Sequence, residues 1–317
     1  MLKDLLRTSD LSASDLASLL DRSAELKAAP HSRRDLLKGE GVVMYLSKPS
    51  TRTRISFEVA IARLGGLPVT VSAADLQLGR GETIEDTARA ISRYAKAFVI
   101  RTFRDADVEA FARAASIPVI NALTDGHHPC QSIADLLTLR EKLGSLRGRK
   151  LTYVGDGNNV AHSLLEAGAL AGMRVVVAAP AKLAPSPEVV LRAKGIAEKT
   201  GGSVEVAEDP KEAAQDADAL YTDVWLSMGD PEAETAARKE LLAPYQVGAE
   251  LMARAKPGAV FMHCLPAHRG DEVTAEVIDG PASVVFDQAE NRLHTTAAIL
   301  GSLLERSLEG STSFNAR

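Results

Sequence analysis

Short apolar runs alternate with amphipathic stretches along most of the chain. Residues 41–47, 97–100 and 118–120 have strand length, and Ile55, Val59 and Leu64, then Ile133, Leu136, Leu137 and Leu143, recur at helical spacing after two of them. A glycine-punctuated basic stretch, Gly144-Ser145-Leu146-Arg147-Gly148-Arg149-Lys150, breaks this pattern. Beyond it, residues 151–154, 174–179, 203–206, 219–222, 259–262 and 283–286 read as strands. Pro187 after Ser186 opens a helix with Val189, Ala193 and Ile196 on one face. The alternation predicts an α/β chain of two domains, each a parallel sheet flanked by helices, with boundaries at 1–145 and 146–290. Three segments stand apart: residues 1–26 read as one amphipathic helix, 226–245 as a long polar loop with the character of a mobile lid, and 309–317 as a frayed tail.

Composition narrows the function classes. A length of 317 residues accommodates about two domains, and 45% apolar with 25% charged residues is a globular balance. The formal net charge of −5 gives no general attraction to nucleic acid or an anionic membrane, so any cationic site is local and its ligand small. The two cysteines, Cys130 and Cys264, form neither a disulfide framework nor a metal-ligand spacing and point to a reducing compartment. No signal-peptide core and no membrane-length apolar run occurs, and the expected location is the cytoplasm.

Candidate chemistry gathers at the ends of the strands, where open parallel sheets hold ligands. Lys48-Pro49-Ser50-Thr51-Arg52-Thr53-Arg54 sets hydroxyls and guanidinium groups at a helix start. Arginines there oppose the helix dipole unless an anion is bound, so the loop reads as a phosphate site. It lacks the glycines and lysine of a nucleotide-triphosphate loop. Arg101 ends the next strand, within reach of the same anion. His128-Pro129-Cys130-Gln131, at a helix beginning near Ser132, could polarise a carbonyl and accept from an amide; taken alone it better suits a capping turn with a structural histidine.

In the second half, Val154-Gly155-Asp156-Gly157-Asn158-Asn159 invites a dinucleotide reading, hence an oxidoreductase as the competing class. Val160 stands where the third glycine belongs, and the next strand ends without a ribose-binding acid. The turn can still present Asn159 to a ligand. Asp223, with Ser227 and Met228 just beyond, offers a carboxylate for an ammonium group. His263-Cys264-Leu265-Pro266 brings a thiol to another strand end. Neighbours on an extended segment face opposite ways, which makes His263 and Cys264 a poor nucleophilic dyad and Cys264 a ligand contact.

Ser50-Thr51-Arg52-Thr53-Arg54, His128-Pro129-Cys130-Gln131 and His263-Cys264-Leu265-Pro266, in that order and separation, resemble the aspartate/ornithine carbamoyltransferase family over nearly the whole chain, as far as Glu290-Asn291-Arg292-Leu293-His294. Ser227-Met228-Gly229 and the Cys-Leu-Pro sequence are similar to its ornithine branch. The resemblance implies one domain for carbamoyl phosphate, one for the amino acid, and a C-terminal helix, 291–317, returning to the first. It further implies that Ser50, Thr51, Arg52, Thr53 and Arg101 hold the phosphate. Thr53, Arg101, His128 and Arg292 would surround the carbamoyl oxygen, and Gln131 and the Leu265 carbonyl would fix the NH2. Asn159 and Met228 would take the ornithine carboxylate, Asp223 and Ser227 the α-ammonium, and Cys264 would lie near the δ-amine.

The same resemblance implies a homotrimer in which Gln77 crosses to a neighbouring subunit's phosphate. Neither cofactor, metal, nucleic acid nor membrane is expected. A non-catalytic carbamoyl-phosphate-binding homologue and acceptors such as putrescine or N-acetylornithine stay open as alternatives. Ser47, where the family often carries an acid, and Asp230-Pro231 after Gly229 are the departures from the family pattern.

Overall fold

The computed structural model describes residues 3–78, 81–226 and 232–314. By its packing the chain divides into two units, Met1–Ile133 with Asn291–Arg317, and Ala134–Glu290. The elements of the first run α1 (Ala13–Ala28), β1 (Gly41–Leu46), α2 (Thr51–Arg63), β2 (Leu67–Ser72), α3 (Ile84–Ile91), β3 (Ala97–Arg101), α4 (Asp105–Ala114) and β4 (Val119–Leu123). Helix α5 (Pro129–Leu143) leads into the second: β5 (Lys150–Val154), α6 (Asn159–Leu170), β6 (Arg174–Ala178), α7 (Pro187–Thr200), β7 (Ser203–Ala207), α8 (Pro210–Ala214) and β8 (Ala219–Thr222). There follow α9 (Glu232–Leu242), α10 (Ala249–Met252), β9 (Val260–His263), α11 (Ala275–Ile278) and α12 (Val285–Phe314).

Both sheets are parallel throughout, in the orders β2-β1-β3-β4 and β7-β6-β5-β8-β9. Each chain path starts at an inner strand, winds one way, then returns to wind the other. The reversal falls between β1 and β3 in one sheet and between β5 and β8 in the other. At such a switch point the loops leaving adjacent strands part to opposite faces and leave a crevice. The loops singled out in the sequence follow one of those strands or a neighbour, whereas Arg292 lies on α12.

Apart from the edge strands β2 and β7, the strands form because their residues are covered on both faces. Val42, Met44, Val99, Ile100, Leu151, Val177, Leu220 and Phe261 are fully buried, and each such side chain contributes about 1.5–3 kcal/mol. The Phe98 and Phe111 rings pack 4.9 Å apart in the first unit, and Tyr153 stacks on Tyr221 at 5.8 Å in the second. Helix α12 from Asn291 onward belongs to the first unit, where Arg22 on α1 donates to Ser302 Oγ (3.1 Å) and Lys27 to Asn291 Oδ1 (2.8 Å). The predicted α/β class and the returning C-terminal helix are therefore observed.

Several elements differ from their sequence reading. Residues 1–26 are not one helix: Leu5 bridges Ile120, a single turn spans Thr8–Asp10, and α1 starts only after Ser12, which caps it reciprocally with Asp15. Strand β2 gave no signal because Leu67-Pro68-Val69-Thr70-Val71-Ser72 lies at a sheet edge, where Pro is tolerated and burial is partial. The expected strand at 283–286 is a single bridge, Ser283 to Phe261, after which α12 begins and leaves Phe286 74% exposed. The polar segment 226–245 contains α9, whose alanine-rich sequence favours a helix without an apolar stripe. Helix α5 starts at Pro129 rather than near Ser132, and α12 stays helical to Phe314 within the segment read as frayed. On α2 the core face is Phe57, Ala60, Ile61 and Leu64, whereas Ile55 is 54% exposed and Val59 37%.

Candidate active site

In the first unit, the β1–α2 connection places Ser50 at the N-cap position with no side-chain capping bond, and no acid occupies the first turn of α2. Its backbone N–H groups lack intrahelical acceptors by construction, so hydroxyls, amides and guanidinium groups converge without a counter-charge on that turn. Arg54 points along the outer face to Glu58 (Nε to Oε1, 2.9 Å). Thr53 is buried and accepts from Arg101 Nη1 at 3.3 Å, which joins the loop after β1 to the end of β3 across the switch point. Ser47, the position that departs from the family, donates both its N–H (2.9 Å) and its hydroxyl (3.0 Å) to the Arg101 carbonyl. Lys48, not singled out from sequence, pairs with Asp125 at 3.0 Å and lies 3.8 Å over the Phe103 ring.

Residues at the start of α5 complete this cluster. Arg292 Nη1 donates to Gln131 Oε1 at 2.5 Å, while its Nε and Nη2 are buried with no hydrogen-bond partner among the described residues. Buried unpaired donors are costly, and an anionic or carbonyl ligand would satisfy them. His128 is buried; desolvation, then the charges of Arg292 and Arg101, hold its pKa well below the usual imidazole range. A neutral ring donates one N–H and adds no further cation. Cys130 is structural: burial pushes its thiol up to about 11, and Sγ donates to the Asn121 carbonyl at 3.4 Å. Gln77 is exposed on the segment following β2, outside the buried cluster.

In the second unit, the β5–α6 turn is shaped by its own packing. A Cβ on Gly157 would stand 2.3 Å from the Pro185 nitrogen, so this glycine is accounted for by the neighbouring segment without a pyrophosphate. Asn158 caps α6, accepting from Val160 N (2.9 Å) and Ala161 N (3.2 Å), and its Nδ2 donates to Asp223 Oδ2 at 2.9 Å. Tyr153 reaches Asn158 Oδ1 at 3.3 Å. Asp223, buried just past β8, accepts on its other oxygen from Cys264 Sγ at 3.0 Å. The sequence reading did not single out Asn158, which bonds Asp223; Asn159, which it did, is half-buried at the first position of α6. Ser227 and Met228 lie outside the described residues.

His263 is fully buried, and its Nδ1 accepts the Leu265 N–H at 2.8 Å. Donor atoms of Asp223, His263 and Cys264 lie within 4.8 Å of one another. The thiol bonds to Asp223 and the imidazole to Leu265, so these contacts explain the grouping without an ion and without a thiol–imidazole dyad. Arg238 on α9 makes an ion pair with Asp156 and donates to the Trp225 carbonyl at 2.8 Å.

The first unit offers a cationic switch point that suits an anion, and the second a carboxylate beside a thiol that suits an ammonium group. Residues 3–141 match the description "Aspartate/ornithine carbamoyltransferase, carbamoyl-P binding domain" and residues 147–303 match "Aspartate/ornithine carbamoyltransferase, Asp/Orn binding domain". The chain belongs to the aspartate/ornithine carbamoyltransferase family. It is 55% identical over 305 residues to ornithine carbamoyltransferase of Acidothermus cellulolyticus (96% of this chain, 97% of that one) and 51% identical over 303 residues to that of Thermococcus kodakarensis (94% and 95%). Among solved structures, ornithine carbamoyltransferase from Pyrococcus furiosus superposes with a TM-score of 0.90 at 50% identity, covering 94% of this chain and 96% of that one. The anabolic enzyme from Campylobacter jejuni gives 0.91 at 36% identity, covering 96% and 100%.

Proposed function

We infer that this chain transfers the carbamoyl group of carbamoyl phosphate to the δ-amine of L-ornithine, giving L-citrulline and phosphate. The observation that carries the reading is the chain-long similarity to relatives named ornithine carbamoyltransferase. The named site residues supply the chemistry. Ser50, Thr51, Arg52, Thr53 and Arg101 take the phosphate; Arg101, His128 and Arg292 donate to the carbamoyl oxygen; Gln131 and the Leu265 carbonyl accept from the NH2. Asp223, steadied by Asn158 and Cys264, faces the α-ammonium, and Asn159, Ser227 and Met228 complete the acceptor site.

The neutral δ-amine attacks the carbamoyl carbon, forming the C–N bond. The resulting tetrahedral species collapses by breaking the C–O bond to phosphate, and the amine proton leaves with phosphate. An amine of pKa about 10.4 is neutral in only about one molecule in a few thousand at pH 7, a cost of about 4–5 kcal/mol. Removal from water lowers that cost. Each well-placed donor to the developing oxyanion contributes roughly 3 kcal/mol. His128 suits that role as a neutral donor.

We further propose that the enzyme is a cytoplasmic homotrimer working toward citrulline, with Gln77 reaching a neighbouring subunit's phosphate. Both cysteines are free thiols, consistent with a reducing compartment. Relatives from Pyrococcus furiosus and Campylobacter jejuni are named anabolic. Ile55 and Val59 on α2, and Leu67 (65% exposed) and Val69 on the sheet edge β2, are exposed apolar side chains that a subunit contact would cover. No helix among the described residues is long and apolar enough to cross a membrane.

The decisive experiment is a product assay with carbamoyl phosphate against ornithine, putrescine, N-acetylornithine and aspartate. Citrulline from ornithine alone is expected. Faster turnover of another acceptor, or carbamoyl phosphate bound without product, would overturn the reading. Light scattering gives the subunit number.

A further inference from the structure

We propose that His263 is a positioning residue that holds the Leu265 backbone so that its carbonyl is presented to the carbamoyl NH2. The proposal rests on the reading above that gives this carbonyl to that group. Leu265 has φ of +59°, a left-handed conformation that a γ-branched side chain seldom adopts without something to keep it there. What keeps it is the 2.8 Å bond from its N–H to His263 Nδ1.

An Nδ1 that accepts carries no proton, so the ring proton sits on Nε2, which lies 3.3 Å from Glu272 Oε1. Nε2 makes no hydrogen bond among the described residues, so the neighbouring carboxylate acts on the ring by its charge, which favours the proton on that nitrogen. Glu272 is fully buried and held in turn by the His268 N–H at 2.5 Å. The His263 N–H donates to Gln288 Oε1 at 3.0 Å, and Gln288 Nε2 donates to Tyr221 Oη at 3.0 Å and Asp135 Oδ1 at 2.7 Å. The residue is therefore fixed at its backbone N–H and at ring Nδ1. All of this fixed frame ends on one peptide N–H, whose residue presents the carbonyl.

Asparagine and glutamine at 263 separate the two ring functions. His263→Asn keeps an acceptor near the Nδ1 position, whereas His263→Gln moves its amide to the Nε2 position and abandons Leu265. Dissociation constants for carbamoyl phosphate and for acetyl phosphate, which has a methyl group in place of NH2, are measured by calorimetry on wild type and both variants, with melting curves alongside. His263→Gln is expected to weaken carbamoyl phosphate about 10-fold or more and acetyl phosphate less than about 2-fold, while His263→Asn keeps the wild-type ratio within about 3-fold. Equal weakening of both ligands, an unchanged ratio in His263→Gln, or a larger loss in His263→Asn would overturn the proposal. Should His263→Gln not fold, His263→Asn decides, with a retained ratio supporting the role and a lost one rejecting it. Binding is read without turnover, so absence of citrulline from the wild type counts against the proposed function and leaves this test standing.

Discussion

The two switch points use one topological device for opposite charges. Between β1 and β3, guanidinium and hydroxyl groups meet at a helix start whose first turn carries no acid. Between β5 and β8 the corresponding helix start is already capped by Asn158, and the feature presented is the Asp223 carboxylate. An uncapped helix start is an anion site, whereas a capped one has spent its donors on a side chain and can serve as scaffold for another group. One difference, whether the capping side chain accepts the N-terminal amides, thus separates the two helix starts on otherwise similar frames.

Removing the cation from the first switch point tests that contrast most severely. Arg52→Ala is expected to lower kcat by about 10²–10³-fold, since a guanidinium on the transferring group is worth about 3–4 kcal/mol. The melting temperature should stay near wild type, because Arg52 is only half-buried on a helix turn. Steady-state assays with saturating carbamoyl phosphate measure it, and full activity would remove the loop from the site. The mirror experiment is Asp223→Asn. Loss of a charged hydrogen bond to the ammonium is worth about 2–3 kcal/mol, or roughly 30- to 160-fold in kcat/KM for ornithine. Inorganic phosphate inhibition should change less than about 2-fold if the subsites are independent. Equal damage to both would erase the division of labour.

How much of this was legible in the sequence follows the same division. The Ser50 to Arg54 loop is contiguous, so its candidate phosphate chemistry can be read without any fold. Arg101 and His128 were placed correctly at element ends, because apolar runs fix where strands stop. The Asn158–Asp223 bond joins residues 65 apart in sequence and requires β5 and β8 to be neighbours, which periodicity cannot supply. The grip of His263 on Leu265 depends on a backbone torsion and was equally hidden. Helix α9 was missed for another reason: its sequence satisfies helix propensity while showing no apolar face, and among its described side chains only Leu242 at its end is buried.

A third test concerns charge as a function of pH. The folded His128 pKa is depressed, by burial first and by Arg292 and Arg101 next, so the ring is uncharged above about 6.5 in both folded and unfolded chains. The acceptor amine is then the group whose deprotonation governs the rate. We expect kcat/KM for ornithine to rise about 10-fold per pH unit from pH 7 toward 9, with no inflection from His128. A flat profile with chemistry limiting would contradict attack by the neutral amine. The same depression has a stability consequence of definite sign. As pH falls below about 6.5 the unfolded chain takes up the proton first, so folding stability declines on the acid side. His128→Asn should flatten that decline in urea midpoints collected between pH 5 and 7.

The smallest effect bears most directly on the capping argument. Asn158 does two things at once, accepting from the α6 amides with Oδ1 and donating to Asp223 with Nδ2. Serine is a comparable N-cap, so Asn158→Ser should keep stability within about 0.5 kcal/mol of wild type. It has no amide donor, and Asp223 would lose one of its two described hydrogen bonds, from Nδ2, while keeping that from Cys264. Loss of an outer orienting partner typically costs about 10-fold, which should appear in KM for ornithine and leave phosphate inhibition unchanged. A large fall in melting temperature with unchanged KM would make Asn158 a cap and nothing more. Unchanged stability with a raised KM would show that the cap of the second switch point has been recruited to aim its carboxylate.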